Sequence, residues 1–162
     1  MKKKIINNKL LIGRDEWCAL PDLKLPAIKA KVDTGAKTSS LHAYNITTKQ
    51  HNHQEYVYFD VHPIQGDNEC SMSSRAKIFD KRHIMSSNGH IELRYVIVTT
   101  LKISNYIWQM ELTLSNRDPL RYRMLLGREA LTGRVLVDPS LSCNQSKLKL
   151  ETLYDIYSGK GE

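Results

Sequence analysis

An all-β fold is what this sequence predicts, on two observations. Apolar and β-branched residues recur in short runs bounded by turn formers, and within those runs they alternate as in strands rather than keeping helical spacing over long windows. A third observation sets the scale: 162 residues, 41% hydrophobic and 25% charged, are enough to bury a core without disulfides or a structural metal. A single domain over 1–162 is the expectation, with its core at about 12–142.

Taken in order, Ile28 to Val32 alternates apolar residues with lysine and reads as a half-buried strand running into a loop. Tyr56 to Val61 is a second strand. Ile91 to Ile103 is a third, and Ile107 to Leu114 sets Trp108, Met110, Leu112 and Leu114 against more polar neighbours, so these two predict an antiparallel pair joined at Ser104 and Asn105. One short helix is predicted at Arg128 to Leu131, between Gly127 and Gly133. Thr47–Asn52 and Gln65–Ser74 are polar and read as loops. The tail after Ser142 starts polar, Leu148 to Tyr157 is a segment that docks, and Ser158 to Glu162 frays.

Charge and cysteines narrow the function classes. Lys and Arg exceed Asp and Glu by 24 to 17, but apart from Lys2, Lys3 and Lys4 the excess is dispersed. With no zinc-finger spacing and no RNA-binding aromatic signature, a nucleic-acid partner is not expected. The apolar stretch after the basic start is only Leu10, Leu11 and Ile12, too short for an export signal, and no segment has the length of a membrane helix. Cys18, Cys70 and Cys143 are odd in number and widely spaced, which fits a reducing compartment. The expected location is cytoplasmic, with no membrane partner.

The run Asp33, Thr34, Gly35 carries the chemistry. Aspartic proteolysis needs two carboxylates sharing a proton, one activating water while the protonated one polarises the scissile carbonyl. Gly35 leaves room for substrate backbone, and the Thr34 hydroxyl is placed to brace the loop. As a tripeptide the run is weak evidence, since a plain turn has the same composition. It continues as Ala36, follows the strand residue Val32, and is matched far along the chain by Met124, Leu125, Leu126, Gly127, Arg128 and Glu129.

With both segments in view the chain resembles the retropepsin-like aspartic peptidases, whose fold is a closed β-barrel with one short helix near its C-terminal end. The resemblance implies that Asp33 is catalytic, that Thr34, Gly35 and Ala36 form its supporting loop, and that the segment with Gly127 and Arg128 packs beneath that loop, its arginine supporting the dimer. Ser86, Ser87, Asn88, Gly89 and His90 resemble a flap turn, with Asn88 and Gly89 as the tip, although a glycine in an ordinary hairpin has the same appearance. The two motifs lie farther apart than in compact retroviral enzymes, which implies an insertion at about 44–81. Lys37 stands where retroviral enzymes carry an acidic residue.

More narrowly, Lys31 to Ala43, His62 with Pro63, Tyr122 to Ala130, and Val137, Asp138 and Pro139 resemble a bacterial group labelled ATP-dependent zinc proteases, often linked to ATP-grasp amino-acid ligases. That implies such a ligase as a partner. No second Asp-Thr-Gly or Asp-Ser-Gly occurs, and Asp138 before proline reads as a turn residue, so the second catalytic aspartate is expected from a homodimer acting on a peptide or protein substrate. The six histidines and Cys70 lack metal-site spacing; no cofactor is expected and zinc is not favoured. No phosphate-binding loop is present for ATP. The rival reading is a non-catalytic partner that binds or regulates a ligase or its acidic tail-like substrate.

Overall fold

The computed structural model describes residues 3–85, 88–116 and 121–159. Six strands close into a barrel: β3 (Asp15–Leu20), β4 (Leu25–Val32), β5 (Ser39–His42), β10 (Ile91–Ile103), β11 (Tyr106–Ser115) and β12 (Met124–Leu126). They run in the order β11, β5, β12, β4, β3, β10, and β10 pairs back onto β11. Closure leaves these strands without an open edge. β9 (Asp80–Met85) extends the sheet beyond β10 as one arm of a hairpin.

The alternation read in the sequence is realised. Trp108, Met110, Leu112 and Leu114 of β11 point inward, joined by Ile97, Leu101 and Ile103 of β10, while Ile107 and Gln109 face out. The two strands pair antiparallel from Ile103↔Tyr106 to Val96↔Thr113, and Ser104 takes the left-handed conformation (φ 56°) that a two-residue hairpin turn requires.

Two three-stranded sheets flank the barrel. One joins β1 (Ile5–Ile6), β2 (Lys9–Ile12) and β13 (Val135–Val137), and the other joins β6 (Tyr44–His51), β7 (Gln54–Val61) and β8 (Met72–Lys77). The stretch 44–81 therefore holds a sheet of its own plus the first residues of β9.

Two expected loops are partly strand. Thr47–His51 belongs to β6, with the turn confined to Asn52 and His53 (φ 50° and 64°), and Met72–Ser74 opens β8. Most of β6 is exposed, so it carries no apolar alternation; its pairing to β7 holds it as a strand.

The predicted helix is α1 (Arg128–Leu131). The docking tail forms a second helix, α2 (Leu150–Ser158), whose Leu153 packs on Ala27 and Ile64. Tyr157 places its hydroxyl on the backbone of Ala27. The polar stretch that opens the tail is not loose, because Cys143, Asn144 and Gln145 are buried. Residues 160–162 of the expected frayed end, and Ser86 and Ser87 of the flap turn, lie outside the described residues. No helix among the described residues is long and apolar enough to cross a membrane.

Candidate active site

β12 lies between β4 and β5, parallel to the first (Leu126↔Val32) and antiparallel to the second (Leu125↔Ser40). The loop from Asp33 to Thr38 connects those two strands, so it must arch over the end of β12, and backbone bonding fixes the arch. The Asp33 N–H donates to Leu126 O at 2.9 Å and the Ala36 N–H to Asp33 O at 3.2 Å. Beneath the loop, the chain leaving β12 donates from Gly127 N to Ser39 Oγ (3.0 Å), from Arg128 N to Ala36 O (2.8 Å) and from Glu129 N to Lys37 O (3.1 Å).

Gly127 is required by this crossing. A Cβ there would stand 2.7 Å from the carbonyl carbon of Thr38 and 3.0 Å from Ala36 O, both backbone atoms with little freedom to move. The Arg128 guanidinium reaches the carbonyls of Thr34 (3.4 Å) and Gly35 (3.3 Å). Arg128 thus binds the loop within its own chain, through the carbonyls of Thr34 and Gly35.

Asp33 is half-buried, and one of its carboxyl oxygens, Oδ1, accepts the Gly35 N–H at 3.0 Å. No other donor among the described residues holds the carboxyl. Lys37, the departure noted above, pairs across the loop with Glu129 at 3.8 Å, both side chains largely solvated. A cleft of about 800 Å³ opens beside the loop, walled by Ala36, Lys37, Thr38 and Glu129 on one side and by Arg82, Ile84 and Met85 of β9 on the other. Asp33 is not itself among the residues that wall it.

β9 and β10 pair antiparallel from Asp80↔Val96 to Met85↔Ile91, and of the expected flap tip Gly89, with φ 83°, lies beyond that last pair. Asn88 and Gly89 are exposed there, on the hairpin whose β9 arm forms the far wall of the cleft. Asp138 is in a turn, its Oδ1 accepting both the backbone and the hydroxyl of Ser140, and these bonds hold its carboxyl below the ordinary range.

The zinc implied by the group label finds no donor set. His62 lies on the ring of Tyr44 and shares a hydrogen bond with Cys70 O at 3.0 Å, His51 contacts Asn52, and nowhere among the described residues do three His, Cys, Asp or Glu side chains converge. These residues do not fit a zinc ion.

Two groups of residues went unrecognised in the sequence. Asp15 and Glu16 open β3 and are both buried. Glu16 accepts the backbone N–H groups of Gly13 (2.8 Å), Asn144 (2.8 Å) and Gln145 (3.0 Å). Asp15 accepts the hydroxyls of Tyr122 and Ser142, each at 2.6 Å, and lies 3.8 Å from the Lys29 ammonium. Burial by itself pushes the Asp15 carboxyl up, but those two hydroxyls and the lysine more than offset it and hold it below the ordinary value. Two adjacent acids on a strand were the available signal, since alternation must send one of them inward. The second group is Arg82, Arg94 and Glu111 around the cleft, which the pairing of β9 and β11 with β10 brings together.

A family model described as "RimB-like: Retropepsin-like aspartic endopeptidase RimB" matches residues 11–147. A "Probable alpha-L-glutamate ligase" of Shewanella halifaxensis is 48% identical over 157 residues, covering 95% of this chain and 34% of the relative. One of the same name from Parasynechococcus marenigrum is 45% identical over 153 residues, covering 94% and 33%. The chain therefore spans about a third of the length of the curated relatives it matches. Among solved structures, a Legionella pneumophila protein of unknown function superposes with a TM-score of 0.71 at 29% identity, covering 84% of this chain and 98% of that one.

Proposed function

The chain belongs to the RimB-like family of retropepsin-like aspartic endopeptidases, and from that premise we propose that it hydrolyses peptide bonds at a site built from the Asp33 carboxylates of two identical chains. The observation that carries this reading is the state of Asp33. Its loop is bonded on both sides to the segment beneath it, yet among the described residues the carboxyl has only the Gly35 N–H as partner, and it is half-buried rather than enclosed. A carboxylate held in place but left unengaged is available for chemistry. One chain supplies one such group, and a two-fold axis beside the loop would bring up its equal.

In the proposed reaction the two carboxylates share one proton. The ionised one takes a proton from water as the oxygen attacks the scissile carbonyl, while the protonated one donates to the carbonyl oxygen; the resulting diol collapses as the amine leaves with a proton. Gly35 N–H fixes the carboxyl plane, Arg128 keeps the loop from shifting, and the substrate lies extended between the loop and the hairpin tipped by Asn88 and Gly89. No metal enters this scheme.

The test is cleavage of a complex peptide mixture by wild type and Asp33→Asn across acidic to neutral pH, with and without a zinc chelator. Cleavage that requires Asp33, ignores the chelator and accompanies a dimer by light scattering is the expected result. Cleavage by the variant at the wild-type rate sinks the mechanism, and sensitivity to the chelator would require a metal instead.

A second reading is favoured by the relatives named as glutamate ligases, of which this chain covers a third. On that reading the barrel binds or regulates an amino-acid ligase or its acidic tail-like substrate without cutting it. Recovery of such a ligase equally by wild type and Asp33→Asn, with no cleavage by either, would favour it.

A further inference from the structure

The β9–β10 hairpin carries its charges in an unusual place. Register sets Arg94 directly opposite Arg82, and Glu92 opposite Ile84, so these four share the face turned toward the barrel. Like charges in directly opposed positions destabilise a strand pair unless carboxylates compensate. Arg82 donates through Nη2 to Glu111 Oε1 on β11 at 2.5 Å and through Nε to Asp80 at 2.8 Å. Arg94 bonds to Glu92, and the same Glu92 oxygen accepts the Ser115 hydroxyl of β11 at 3.3 Å. Both links from the inner face thus end on one barrel strand. Lys81, which alternation turns to the other face, reaches Glu55 of β7 at 2.9 Å.

Apolar burial does little to hold this hairpin. Met85, Ile91 and Leu93 are 66%, 62% and 52% exposed, whereas the part of β10 beyond Tyr95 is anchored by the buried Val96, Ile97, Leu101 and Ile103. The position of the hairpin over the barrel is therefore set by its polar links, and the Arg82 and Glu111 side chains, 34% and 28% exposed, form the strongest of them. Arg82, Arg94 and Glu111 also wall the cleft beside the Asp33 loop.

We propose that Arg82 and Glu111 are positioning residues, an ion-pair latch that sets how far the hairpin stands from the barrel and so the width of the cleft. That the cleft receives substrate rests on the peptidase reading; the latch itself does not. In the resting protein the latch holds the hairpin down, and a ligand entering the cleft must lift it or replace one of its partners.

Hydrogen exchange on the full chain tests this without any ligand, comparing wild type, Arg82→Gln, Glu111→Gln and the double variant. Each single substitution is expected to speed exchange of the amides in 81–85 and 91–94 roughly tenfold, the loss of one charge-assisted bond. Residues 97–103 and β5 should stay as in wild type, and the double variant should exchange no faster than either single one, because one substitution already opens the latch. Unchanged hairpin exchange, strictly additive effects, or equal acceleration across β11 and β5 would each overturn the latch. A second readout uses the peptide best cut from the mixture: KM should change at least about threefold in the single variants while kcat holds within about threefold. If wild type cuts nothing, the peptidase reading falls and the exchange data still decide the latch.

Discussion

β3 and β4 are hydrogen-bonded neighbours, and each delivers a carboxylate, but the two are treated in opposite ways. Glu16 is fully buried and surrounded by three backbone donors from both ends of the chain, which ties the 143–145 stretch to the start of the barrel. Asp33 sits on a loop fixed just as thoroughly through its backbone, yet its half-buried side chain has one donor among the described residues. In the first case the backbone needs the carboxylate; in the second the backbone serves it. This difference separates a structural acid from a candidate catalytic one more reliably than the motif does.

Substituting alanine at each position sharpens the contrast. Glu16→Ala leaves three buried N–H groups without an acceptor and should cost at least about 3 kcal/mol, lowering the melting temperature by roughly 6–12 °C. Asp33→Ala should move it by less than about 2 °C while removing any cleavage, because the loop's backbone bonds survive. Equal melting shifts in the two variants would erase the distinction. A smaller effect is expected at the crossing point: Gly127→Ala pushes a methyl into the backbone of Thr38 and Ala36 and should cost about 2 kcal/mol. There stability and cleavage should fall together, since the support and the loop are one unit. A Gly127→Ala protein that melts as wild type but cuts nothing would mean the segment acts by another route.

Much of the barrel is legible in the sequence. β10, β11 and the part of β4 leading to Asp33 stand out because each buries one face, and period-two alternation records that burial. α1 stands out because glycines bracket it. Strands with no buried face, such as β6, leave no such record, and β9 keeps its side chains mostly in solvent. In the site, the Asp33 loop and the Gly127–Arg128 segment could be paired through family resemblance, but the way β12 threads between β4 and β5 could not, because a three-residue strand in a mixed sheet has no pattern of its own. Arg82 and Glu111 meet because β9 and β11 both pair with β10, and Asn144 and Gln145 look like a polar tail because their acceptor, Glu16, lies at the other end of the sequence.

The smallest expected effect concerns the acid next to Glu16. Asp15 has a carboxyl held below its ordinary value near 3.8 in the folded protein, chiefly by the hydroxyls of Ser142 and Tyr122 with help from Lys29, against the opposing push of burial. A folded-state value below the unfolded one means the unfolded chain binds the proton more tightly. The contribution is therefore complete above the unfolded value and is lost as pH falls through the folded one. Thermal unfolding of wild type and Asp15→Asn should show a gap in melting temperature that is constant from about pH 7 down to about pH 5 and closes at lower pH. A gap for Asp15→Asn that persists unchanged to about pH 2.5 would show that shape rather than charge holds the Tyr122 and Ser142 contacts, and would place both buried acids in one structural class.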